Sequence, residues 1–115
     1  MSVFQTSRRP APAVFEICGP VAHTVVVRGN GDVDAAGAVT FAVALEKAAA
    51  SGALTVLVDL TGAGLFCLEA AKALVAHARG SNGYRLMLNP SPAVRRKLSL
   101  LGLTGLIRQT GSGAV

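Results

Sequence analysis

The stretch Leu54-Thr-Val-Leu-Val-Asp59 constrains the fold more than any other part of the chain. It is a continuous apolar run of β-branched character, too short to be a helix of ordinary length, and it predicts a buried central strand. Such a strand needs helices to cover it, and helical patterns flank it on both sides. Upstream, Asp34 is placed as the N-cap of a helix over about residues 35–50, which Gly52 ends. Its inward stripe is expected to be Ala38, Phe41, Ala42, Leu45 and Ala49, with Thr40, Lys47 and Ser51 on the other side. Downstream, the Thr61-Gly-Ala-Gly64 stretch reads as a loop, followed by a second helix over Leu68–Arg79. Cys67, Ala71, Leu74 and Ala78 should face inward, with Glu69, Lys72 and Ala76 outward. Leu68 falls on the flank, beside Lys72 and Val75, where the fold covers it only partly.

The rest of the pattern completes the order. Val14-Phe-Glu-Ile-Cys18 alternates as a first strand, Gly19-Pro20 signals a turn, and Thr24-Val-Val-Val-Arg28 follows as an antiparallel partner. The Gly29-Asn-Gly-Asp32 stretch should break that strand. Tyr84–Leu88 reads as a further strand. Ser91 then caps a third helix with Pro92 at its first position, Val94, Leu98 and Leu101 inward, and Arg95-Arg96-Lys97 outward. The order β-β-α-β-α-β-α predicts an α/β fold, a small mixed sheet with crossover helices.

A chain of 115 residues with 51% apolar residues can bury one core and no more. Residues 1–12 and 109–115 read as tails around a single domain at 13–108. Charged residues interrupt every apolar stretch well before about 18 residues, so no membrane-spanning helix is expected. Arg8-Arg9 is followed by Pro10 and a short apolar run containing Glu16, which argues against a secretory signal and for a cytoplasmic protein. Cys18 and Cys67 have neither disulfide-scaffold nor zinc spacing. His23 and His77 lack a carboxylate or nucleophile at motif spacing, so no catalytic set, metal site or cofactor site is expected. The glycine-rich stretches match neither the dinucleotide fingerprint nor the P-loop. The net charge of +5 and the Arg95-Arg96-Lys97 run lack interleaved aromatic residues, and a solvated helix face explains the run better than nucleic acid does.

Three segments in register resemble the STAS domain, the fold of the bacterial anti-sigma factor antagonists. Gly31-Asp-Val-Asp34 is similar to the family's Gly-Glu-Leu-Asp, and Val56-Leu-Val-Asp59-Leu60-Thr-Gly62 to its Val-Leu-Asp-Leu-Ser-Gly. Asn89-Pro-Ser-Pro-Ala-Val-Arg-Arg-Lys-Leu98 with Leu101-Gly-Leu103 is the third. The resemblance spans about residues 13–108 and implies helices packed mainly on one side of the sheet.

One departure carries the functional reading. The family begins the helix after this strand with Asp-Ser-Ser-Gly and is phosphorylated on the first serine. Here those positions are Cys67, Leu68, Glu69 and Ala70. Leu68 offers no hydroxyl, so phosphate, with its charge of about −1.5 to −2, cannot be placed there. The resemblance therefore implies a non-enzymatic regulatory module that binds an anti-sigma factor or related kinase-like regulator without this switch. Its contact surface would draw on Asp32, Asp34, Cys67, Leu68, Glu69 and Lys72. Glu69 is expected chiefly to complement the helix dipole, and Cys67 to be a packed thiol. The alternatives are a small subunit gripping the ATPase of a lipid or anion transport machine, or a nucleotide-binding module. Oligomeric state is left open.

Overall fold

Two long parallel strands carry the middle of the sheet in the computed structural model, which describes residues 12–79 and 83–109. The elements are β1 (Val14–Val21), β2 (Thr24–Val33), α1 (Ala35–Ala49), β3 (Thr55–Phe66), α2 (Leu68–Arg79), β4 (Arg85–Pro90), α3 (Pro92–Leu100) and β5 (Arg108–Gln109). A single 3-10 turn, Thr104–Leu106, precedes β5. The sheet order is β1-β2-β3-β4-β5, with β1 antiparallel to β2 and the remaining pairs parallel. The expected order is therefore present, with a short strand added after α3.

Strand alternation decides which face carries the helices. Val25, Val27, Val56, Val58, Leu60, Leu86 and Leu88 are all buried, and they join Phe41, Leu45, Leu74, Val94 and Leu98 of the three helices in one core. Their neighbours Val26, Leu57 and Met87 form one cross-strand row on the opposite face and remain half-buried. The helices thus lie mainly on one side, and β3 is central without being covered on both faces. Leu54, the first residue of the apolar run, is 57% exposed and precedes the strand. At the centre of the core Phe41 stacks on Phe15 at 5.3 Å and meets Phe66 edge-on at 5.9 Å. Phe41 and Phe66 are fully buried, and full burial of such a side chain stabilises the fold by about 1.5–3 kcal/mol.

The glycine-rich stretches are strand rather than break or loop. Asn30 pairs with Gly62, Gly31 with Ala63, Asp32 with Leu65 and Val33 with Phe66, with irregular register at Arg28/Asn30 and Gly31/Asp32. Close approach explains the glycines. A Cβ on Gly62 would run into the Asn30 side chain, and one on Gly64 would lie 2.7 Å from the Asp32 carboxylate. The first turn is displaced too. β1 continues through Gly19-Pro20, and the chain reverses at Ala22-His23, both with positive φ as a two-residue hairpin turn of primed type requires.

The helix caps follow the sequence closely. Asp34 accepts a bond from the Gly37 amide at 2.8 Å, and the buried Ser91 hydroxyl accepts one from Val94 at 3.1 Å. The inner faces are rotated slightly from expectation. In α1 the buried residues are Ala38, Phe41, Ala44, Leu45 and Ala48, because Ala42 lies on the side turned toward α2. In α2 Ala70 and Val75 are buried, whereas Cys67 and Ala78 are only partly covered. Leu101 is 38% exposed because α3 stops at Leu100. Gly102 then turns the chain at φ +71. The amides of Gly102 and Leu103 bond back to the carbonyls of Ser99 and Leu98 at 3.0 and 2.8 Å, a Schellman cap that brings Leu103 onto the core instead. The assigned tails lie almost wholly outside the described residues. Their inner ends are engaged, since Pro12 bridges Asp32 and Gln109 pairs with Leu88.

On the uncovered face Asp59 holds a small polar network. One carboxylate oxygen accepts from the Thr61 amide at 3.1 Å and hydroxyl at 2.7 Å, the other from Arg28 Nε at 3.2 Å. Burial by itself would raise the Asp59 pKa, but the Thr61 bonds and the Arg28 charge outweigh it and hold the carboxyl below its ordinary value. Because the folded carboxyl is the stronger acid, its stabilisation is present above about pH 4 and is lost as pH falls through the folded value. Asp59→Asn should therefore lower the melting temperature at pH 7, with the gap to wild type closing as the pH falls through the titration of the folded carboxyl. Paired melts across that range check it; a constant gap would mean that Asp59 acts by packing alone.

Candidate functional site

Strands β2 and β3 end together, at the paired residues Val33 and Phe66. The Cys67 amide donates to the Val33 carbonyl at 3.0 Å, which sets the start of α2 beside the start of α1. One end of the molecule thereby collects four of the residues singled out in the sequence. Asp32 is half-buried at the end of β2, beside Gly64. Asp34 is exposed, and one of its carboxylate oxygens is committed to capping α1. Cys67 is half-buried against the core, and Leu68, the first residue of α2, is 42% exposed.

Glu69 and Lys72 do not converge on one point. Glu69 turns toward α1 and borders a groove with Ala35, Ala38 and Ala73. Lys72 lies on another side of α2, in a hollow shared with Val75, Ala76, Arg79 and Leu103. Both are exposed. The carboxylate of Glu69 stands in the first helical turn, where it complements the helix dipole by about 0.3–1 kcal/mol.

The hydroxyls of Thr61 and Ser91 are engaged elsewhere in the fold. Thr61 is exposed, and its hydroxyl donates to Asp59; Ser91 is buried, and its hydroxyl caps α3. Among the described residues no three His, Cys, Asp or Glu side chains are grouped as a metal would require. His77 instead shares a 2.8 Å hydrogen bond with the Tyr84 hydroxyl. Arg95 and Arg96 are exposed on α3, and Lys97 is half-buried. No described helix is long and apolar enough to cross a membrane.

The surface that sequence reasoning missed is the outward side of α1. Val39 and Val43 stand exposed there, beside Glu46. The signal was present as apolar residues between the expected inward positions, but an all-apolar helix does not reveal from periodicity which side is solvent.

Comparison with solved structures identifies the fold. The chain is similar to an anti-sigma factor antagonist from Mycobacterium paratuberculosis, with a TM-score of 0.73 and 19% identity over 88% of this chain and 87% of that one. It is also similar to the anti-sigma factor antagonist SpoIIAA in its unphosphorylated form, with a TM-score of 0.68 and 21% identity over 86% of this chain and 90% of that one. The phosphorylated form of the Bacillus cell fate determinant SpoIIAA gives 0.62 and 20%, over 86% and 93%. No family model matches the sequence, and no curated protein matches it. The chain has the STAS fold of these anti-sigma factor antagonists.

Proposed function

We propose that this chain is a non-enzymatic regulatory protein of the anti-sigma factor antagonist kind. It binds an anti-sigma factor or related kinase-like regulator in the cytoplasm, through the end of the molecule formed by Asp32, Asp34 and the start of α2. Binding is not controlled by phosphorylation at the head of that helix. The observation that carries this reading is Leu68, an exposed apolar side chain at the first position of α2, in a Cys67–Ala70 segment without a hydroxyl. The shared fold supports the kind of partner, and Glu69 and Lys72 extend the contact to either side.

Leu68→Asp tests the reading. A charge desolvated against an apolar partner surface is costly, so affinity for an anti-sigma factor from the native bacterium should fall at least about tenfold. Because Leu68 is exposed, stability should change by only about 0.5 kcal/mol. Thermal unfolding beside a binding titration reads both. Unaltered affinity in a well-folded variant removes Leu68 from the interface, and a large fall in melting temperature makes it a core residue.

A further inference from the structure

Helix α1 presents aliphatic side chains to solvent where a surface helix ordinarily carries charge. Along one stripe Ala35, Val39 and Val43 succeed one another, with Val39 66% and Val43 46% exposed. β-Branched residues are also poor helix formers, so neither valine serves the helix itself. Between this stripe and α2 runs a groove of about 310 Å³ floored by Ala38, Ala42 and Ala73, whose small side chains leave the floor low.

Both ends of the groove carry a carboxylate. Glu69 stands at the head, where α1 and α2 start side by side, and Glu46 lines the foot. From Ala35 to Glu46 the helix rises by about 16 Å, or three turns. Among the described residues neither carboxylate makes an ion pair. The chain as a whole has 11 basic and 6 acidic residues, yet the charged side chains lining this groove are the two glutamates, with no basic one among them.

We propose that the α1–α2 groove docks a helix from a partner protein, one bearing an aliphatic stripe with a basic side chain at each end, about three turns apart. Val39 and Val43 interlock with the aliphatic stripe, and the alanine floor lets the backbones approach. Glu69 and Glu46 accept the basic ends and repel acidic ones, which sets register and selects the partner. The groove is distinct from the Leu68 contact, although Glu69 borders both, so it stands whether or not an anti-sigma factor binds there.

The probe is a dye-labelled, amidated Ala/Leu helical peptide with arginines eleven positions apart, beside a control with glutamates at the same two places. Anisotropy titration of the full chain should show saturable binding of the arginine peptide and about tenfold or weaker binding of the control. Val43→Asp should abolish the first, with the melting temperature nearly unchanged. The double variant Glu46→Lys/Glu69→Lys, which leaves the apolar stripe untouched, should reverse the preference between the peptides. Absence of binding, or equal binding of both peptides, overturns the proposal. So does self-association of the chain that Val43→Asp removes, which makes a second copy the occupant. A tenfold gain in peptide affinity on Arg8→Ser/Arg9→Ser also overturns it, because residues 1–11 would then be the competitor already in place.

Discussion

Phe41→Ala is expected to lower the stability of this fold by about 3–5 kcal/mol, the range for emptying a buried aromatic site. The side chain is fully buried and touches both other rings of the trio, Phe15 from β1 and Phe66 from the end of β3. Its loss therefore opens a cavity where α1, the sheet edge and the head of α2 meet. A small domain holds about 5–15 kcal/mol in total, so the melting temperature should fall by roughly 15 °C or more. Far-UV circular dichroism melts, with urea titration beside them, measure this directly. A fall below about 5 °C would mean that the trio is peripheral to the core.

Gly29→Ala should cost about 1–3 kcal/mol, by overpacking rather than by a cavity. A Cβ there would lie 2.6 and 2.9 Å from two atoms of the Phe15 ring and 3.0 Å from a methyl of Leu60. The ring cannot move away without losing its stack on Phe41. The cost should accordingly be coupled to Phe15. In a double-variant cycle, Phe15→Leu with Gly29→Ala should destabilise by less than the sum of the two single changes. Strict additivity would show that the strain is taken up in the backbone of β2 instead. Either measurement also bears on the binding surface, because β2 ends at Asp32 and Val33, where the two helices start.

Much of this architecture was legible locally. The caps Asp34 and Ser91, Pro92 at a first helical position, and the stop at Gly102 are short-range chemistry, written within a few residues of where they act. That the runs at residues 24–28 and 85–88 form strands is equally local. The glycines misled because their reason is long-range. Gly29 accommodates Phe15, Gly62 accommodates Asn30 and Gly64 accommodates Asp32, and no window of sequence contains both members of any of these pairs except by chance of folding. The turn was misplaced for a related cause: Gly19-Pro20 has turn chemistry, yet the pairing of Val21 with Thr24 carries the reversal to Ala22-His23.

The candidate site divides along the same line. That Leu68 heads a helix, that it lacks a hydroxyl and that its flank is partly open all follow from residue types and the 100° step between helical positions. That Cys67 is tied to Val33, that Glu69 faces α1 while Lys72 faces Leu103, and that Val39 and Val43 border a groove depend on how two helices sit on one sheet. Sequence by itself determined the elements other than β5, their order and the absence of a hydroxyl from residues 67–70, because propensity, capping and covalent chemistry act within a few residues. Only the tertiary structure decided which apolar side chains remain in water, because burial depends on what the opposite surface supplies: here α1 and the outer sheet face are each covered on one side alone.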